Sequence, residues 1–106
     1  MLLAIDVGNT YSAIGVYDND ALIGNWRIST ARERTSDETG MFLMSVLGHA
    51  GIRPEDIKAV IMCSVVPPAM HFIVNAIKKY FSINPILVEP GIKTGINIKY
   101  ENPREV

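Results

Sequence analysis

The chain has 106 residues, 48% of them hydrophobic and 20% charged, a globular composition sized for one small domain. Ten basic and eleven acidic residues leave a net charge of −1, so no electrostatic excess draws it onto nucleic acid or an anionic membrane. A lone cysteine, Cys63, excludes an internal disulfide framework. The apolar start Met1–Ile5 stops at Asp6, too short for a signal-peptide core. No stretch approaches the roughly 18 apolar residues of a membrane span, and a soluble, cytoplasmic protein is expected.

Leu2 to Val7 reads as a short, buried, continuously apolar strand. Gly8-Asn9 is a turn signal, and Tyr11 to Tyr17 alternates as a second strand. Asp18-Asn19-Asp20 makes a polar tip before a third strand, Ala21 to Ser29. Such short connections imply an antiparallel meander. After the charged loop Thr30 to Arg34, Thr35-Ser36-Asp37-Glu38 has the form of a capping box. The helix it opens runs to about Ala50, with Phe42, Leu43, Val46, Leu47 and Ala50 as its apolar stripe. Gly40 should weaken its start, and Gly51 is placed to end it in a left-handed conformation.

Arg53 to Asp56 is a connecting turn, and Ala59 to Ser64 is a nearly all-apolar strand expected in the sheet centre. Pro67-Pro68 opens a second helix that runs to about Phe81, with Ile73, Val74, Ile77 and Phe81 inward. Pro85 to Val88 is a fifth strand, and weak strand character returns at Ile96 to Tyr100. The order β-β-β-α-β-α-β describes an α/β fold: a mixed five-stranded sheet with flanking helices. This is the ribonuclease H-like layout, one half of the two-domain actin and sugar-kinase architecture.

The strongest local signal is Asp6-Val7-Gly8-Asn9-Thr10, at a strand end. Gly8 permits close backbone approach to an oxyanion, and successive turn amides can form an anion-binding nest. Asn9, Thr10 and Ser12 add side-chain donors. Asp6 supplies a carboxylate against which a hydrated Mg²⁺ can sit beside phosphates. The same residues also suit a plain polar hairpin, since Asn and Gly are hairpin residues. The sequence Gly91-Ile92-Lys93-Thr94 does not meet the P-loop pattern. His49 and His71 read as structural or surface residues, and Cys63 as a buried strand residue. Trp26 reads as core, Lys78-Lys79 as a solvated helix end, and Arg32, Glu33 and Arg34 as a solvated loop.

Taken together, the residues resemble the type III pantothenate kinase family. The resemblance is carried by Ile5 to Thr10, by Trp26-Arg27-Ile28-Ser29-Thr30, by Thr35 to Glu38, by Ser64-Val65-Val66-Pro67 and by Tyr100 to Val106. It implies transfer of the γ-phosphate of ATP to pantothenate, giving 4′-phosphopantothenate, the first step towards coenzyme A. It implies that Asp6, Val7, Gly8, Asn9, Thr10, Tyr11, Ser12 and Ala13 contact ATP phosphates, with Asp6 at the Mg²⁺ through water. Tyr100 would line the pantothenate site. The family also uses a monovalent cation, K⁺ or NH4⁺, and works as a homodimer. Its catalytic Gly-Ala-Asp-Arg segment is expected just after Val106, so residues 1–106 would be an amino-terminal domain, inactive alone. A non-catalytic accessory or regulatory relative, another sugar-kinase-like enzyme and a ribonuclease H-type nuclease are the competing readings. The last needs several clustered carboxylates, and Asp6 has no evident strand-borne partner.

Overall fold

The computed structural model describes residues 1–30, 34–64 and 67–88. Strand β1 (Leu2–Val7) is the middle of five. On one side it pairs antiparallel with β2 (Tyr11–Asp18), which pairs antiparallel with β3 (Ala21–Ser29). On the other it pairs parallel with β4 (Ala59–Ser64), which pairs parallel with β5 (Ile86–Val88). Helix α1 (Ser36–His49) links β3 to β4, and α2 (Pro67–Phe81) links β4 to β5. Both crossovers step the same way along the sheet. The right-handed crossover rule therefore puts both helices on one face.

That face holds the core. Leu3, Ile5 and Val7 of β1, Ile14 and Val16 of β2, and Val60 and Met62 of β4 pack with Leu43 and Leu47 of α1 and Ile77 and Phe81 of α2. Alternation at period two explains which strand residues take part. Leu43 is fully enclosed, and Leu43→Ala would cost about 2–5 kcal/mol.

The expected boundaries agree closely with the observed ones. Thr35 caps α1: the Glu38 amide donates to Thr35 Oγ1 at 3.0 Å and the Thr35 amide to Glu38 Oε1 at 2.7 Å. Gly51 follows with φ 79°. Cys63 is buried, Trp26 packs against the core, and both histidines are exposed.

Three expectations need correction. Ala50 is exposed, because the helix has ended at His49 and its C-cap turns away from the core. Gly40 is not merely a weak point: it is buried, and a methyl group there would overlap the ring of Tyr80. The glycine lets α2 lay that ring against α1. Lys79 is not simply solvated either. Lys79 Nζ and the Tyr80 hydroxyl both donate to Asp37 Oδ1, each at 2.8 Å, joining α2 to the first turn of α1. These donors hold the Asp37 carboxyl below its ordinary range. The strand expected at Ile96 to Tyr100, the run Gly91 to Thr94, and Arg32 and Glu33 lie outside the described residues.

Candidate functional site

The β1–β2 turn lies at the carboxyl end of the central strand, beside the carboxyl end of parallel β4. Crevices at such strand ends are where α/β sheets hold ligands. The Gly8 amide donates to the Tyr11 carbonyl at 3.0 Å, so this amide is engaged within the hairpin. A Cβ at Gly8 would lie 2.9 Å from that carbonyl oxygen, which alone requires glycine here. Asn9 and Thr10 form the exposed tip, and neither has a positive φ. The turn is therefore not of the primed type usual in two-residue hairpins. Among the described residues, neither the Asn9 nor the Thr10 amide donates a hydrogen bond.

A third strand end holds this turn in place. The Thr30 amide donates to the Thr10 carbonyl at 2.9 Å. The Thr30 and Ser12 hydroxyls lie 2.9 Å apart and share a hydrogen bond. Ser12 is only 4% exposed, so this pairing satisfies a buried polar group.

Strand register divides the eight residues of the run between two faces. Val7 lies opposite Ser12 on the helix-covered face, where Val7 joins the core. Asp6 lies opposite Ala13 on the other face. Extending that row, Ala13 lies opposite Arg27 of β3, and Asp6 lies beside Cys63 of β4. Arg27, Ala13, Asp6 and Cys63 thus form one line across the sheet. Asp6 is 7% exposed, whereas Arg27 is exposed. The Arg27 guanidinium lies 5.7 Å from the centroid of the exposed Tyr11 ring, within cation–π range. The strand end therefore gathers Asp6, Gly8, Asn9, Thr10, Tyr11 and Ala13, and turns Val7 and Ser12 away. Tyr100 lies outside the described residues.

A small cleft, partly open to solvent, runs under the Ser12–Thr30 pair on the helix face, against Ile14, Ile28 and Phe42. None of Asp6, Gly8, Asn9 and Thr10 lines it. Its walls are mainly apolar and suit anions poorly, unlike the polar turn above it. There, Asp6 fits Mg²⁺, which takes one or two carboxylates and completes its shell with water and phosphate oxygens. Among the described residues, no three His, Cys, Asp or Glu side chains group as ligands for a metal held by protein alone. No helix among them is long and apolar enough to cross a membrane.

Sequence reasoning did not single out Thr30 or Arg27 as site residues. The signal for both is strand register, which places residues 18 and 14 positions downstream beside Ser12 and Ala13.

Comparison with known proteins follows the same lines. Over 84% of its length, the chain superposes on 35% of the ROK hexokinase of Thermus thermophilus, with a TM-score of 0.61 at 17% identity. A Porphyromonas gingivalis protein assigned as an N-acetylglucosamine kinase gives 0.59 at 21% identity, over 84% of this chain and 34% of that one. At such identities the likeness is one of fold, that of the actin and sugar-kinase group. In sequence, the chain is 48% identical over all 106 residues to the type III pantothenate kinase of Halalkalibacterium halodurans, covering 42% of that protein. It is 52% identical, again over its whole length, to that of Geobacillus thermodenitrificans, covering 41%. The chain thus spans about two-fifths of the length of these relatives. The family model described as type III pantothenate kinase matches residues 2–106, and with relatives about half identical over its whole length, the chain belongs to that family.

Proposed function

We propose that residues 1–106 are the amino-terminal, phosphate-gripping domain of an enzyme that transfers the γ-phosphoryl group of ATP to pantothenate, forming 4′-phosphopantothenate for coenzyme A synthesis. The observation that carries this is a buried carboxylate, Asp6, at the end of the central strand, beside a turn whose Asn9 and Thr10 amides are unengaged among the described residues.

Phosphoryl transfer depends on positioning and charge stabilisation more than on covalent chemistry. In this reading, the Asn9 and Thr10 amides and side chains donate to phosphate oxygens. Gly8 keeps the turn tight enough for them to converge, and Tyr11 and Ala13 form the adjacent floor. Asp6 accepts from water in the metal's shell. When bound, Mg²⁺ neutralises charge on the phosphates. Val7 and Ser12 support the turn from the core side. Tyr100 is assigned to the pantothenate pocket, and Tyr100→Ala should raise KM for pantothenate more than for ATP. The general base, a K⁺ or NH4⁺ site, a homodimer and a cytoplasmic location belong to the same reading. Family membership is what supports them.

The test joins the 106 residues to the remainder of the Geobacillus thermodenitrificans relative and follows ADP release with ATP, Mg²⁺, K⁺ and pantothenate. The fusion should turn over at about 1–100 s⁻¹, and only with pantothenate. The 106 residues alone should not, since losing a general base costs about 10²–10⁴ in rate and lost orientation costs more. A folded fusion without pantothenate-dependent turnover would refute the reading.

A further inference from the structure

The run Asp6 to Ala13 contains no lysine or arginine. A turn that grips a polyphosphate with amides and one carboxylate has a deficit of positive charge. A metal offsets part of it, and phosphoryl-transfer sites commonly add a lysine or arginine. Strand register identifies a cation in this chain that faces the same space.

Arg27 stands in the same cross-strand row as Asp6, with Ala13 between them. Two strand spacings separate their backbones by roughly 10 Å. The intervening side chain is a single methyl group, so β2 leaves a low floor between guanidinium and carboxylate. Tyr11 is the next residue towards the turn on the same face of β2, and the Arg27 guanidinium lies over its ring, 5.7 Å from the centroid. An aromatic face restrains a nearby guanidinium by cation–π attraction without using its N–H groups, which stay able to donate in the guanidinium plane. Among the described residues, the other cation beside this strand end is Arg34. It donates to the Ser29 carbonyl at 3.2 Å and lines the cleft on the opposite face.

We propose that Arg27 is a phosphate-binding residue: its guanidinium donates to the polyphosphate held by the Asp6–Thr10 turn, with Tyr11 as its platform. This rests on the phosphate-gripping role given to the turn above. It adds a specific source of charge, from a strand outside the turn, to a motif that has none of its own.

The test compares the unaltered chain with Arg27→Gln, Arg27→Lys and Tyr11→Leu. MgATP and, separately, inorganic tripolyphosphate are titrated while the Gly8, Asn9 and Thr10 amide resonances are followed. KM values for MgATP and pantothenate are measured in the fusion with the Geobacillus relative. Arg27→Gln should weaken MgATP and tripolyphosphate about 10- to 100-fold, the usual worth of a charge-assisted hydrogen bond. KM for pantothenate should move far less. Arg27→Lys should recover part of the loss, because it restores charge without the planar fork. Tyr11→Leu should give a smaller loss than Arg27→Gln. If the unaltered chain and fusion bind MgATP and folded Arg27→Gln binds it equally well, Arg27 makes only a surface cation–π contact and this proposal fails alone. If neither the unaltered chain nor the fusion binds MgATP, the phosphate-gripping reading fails and takes this one with it.

Discussion

The described residues hold two hairpin turns of equal length, Gly8–Tyr11 and Asp18–Ala21, and they are held in shape by different means. In the second, Asn19 adopts φ 60°, the left-handed conformation that matches a two-residue turn to the twist of its strands. Asp18, Asn19, Asp20 and Ala21 are all exposed. Its shape comes from local backbone preference. In the first, Asn9 and Thr10 avoid positive φ, Gly8 is buried against the Tyr11 carbonyl, and Thr30 fastens the turn from a third strand. Its shape comes from tertiary contacts. A turn fixed from outside can leave its tip amides unengaged, which is what an anion site requires. A turn that only closes a hairpin has no such need.

The sharpest way to break this comparison is to make the same substitution at both. In the fusion enzyme, Asp6→Asn should lower kcat/KM for MgATP about 10²–10³-fold, in line with removal of one transition-state-stabilising group. Asp20→Asn should leave it within about twofold. Equal effects at the two positions would erase the functional distinction between the turns.

Stability should separate them next. Gly8→Ala forces a Cβ to within 2.9 Å of the Tyr11 carbonyl oxygen, so backbone must move, at a cost of about 1–3 kcal/mol. Asn19→Gly relieves a left-handed side-chain residue and should change stability by no more than about 0.5 kcal/mol. Urea unfolding of the two variants reads both. The tether is a smaller contribution. Thr30→Val keeps the amide bond to Thr10 but deprives the buried Ser12 hydroxyl of its partner, at about 1 kcal/mol. A double-mutant cycle with Ser12→Ala should recover that figure as coupling energy, and a coupling near zero would show that the hydroxyl pair does not brace the turn.

How far the sequence foretold this depends on the range of the interaction concerned. Strand and helix positions were legible because their causes are local: period-two burial, the Thr35–Glu38 box and Gly51 are each written within a few residues. The layer arrangement followed from element order and crossover handedness. The motif at Asp6 to Thr10 was legible as chemistry, but not its division between faces, since that depends on which residue lies opposite which. The bulge that leaves Ile23 between Gly24, opposite Val16, and Leu22, opposite Tyr17, shows how easily register shifts within a hairpin. Gly40 was misjudged for the same reason. Helix propensity counts against a glycine there, while the ring of Tyr80, far away in sequence, demands one.

The smallest expected effect concerns pH, and it tests whether the braced turn extends its support into α1. Thr30 sits shortly before the cap of α1, and Arg34 reaches back to the Ser29 carbonyl. Hydrogen bonds from the Thr35 backbone amide and side chain hold the Glu38 carboxyl below its ordinary value of 4.5. A carboxyl with a depressed folded-state pKa contributes stability that is complete above its unfolded-state value. That contribution is lost as pH falls through the folded-state value. The cap should therefore be intact at neutral pH and weaken progressively below about pH 4.5. Asp37 shifts in the same direction, first through its bond from Lys79, and its contribution is lost further down, below about pH 3.8. Glu38→Gln retains a side chain able to accept from the Thr35 amide but removes the titration. Its urea midpoint should differ little from that of the unaltered chain at neutral pH and fall less steeply between pH 5 and 3. Amide exchange at Gly8 and Thr30, whose N–H groups are hydrogen-bonded, should follow the cap as pH falls, while exchange at Asn19, corrected for its intrinsic pH dependence, should not. If Gly8 and Thr30 ignore the loss of the cap, the brace on the first turn ends at Thr30, and helix α1 contributes to the site only through the sheet it covers.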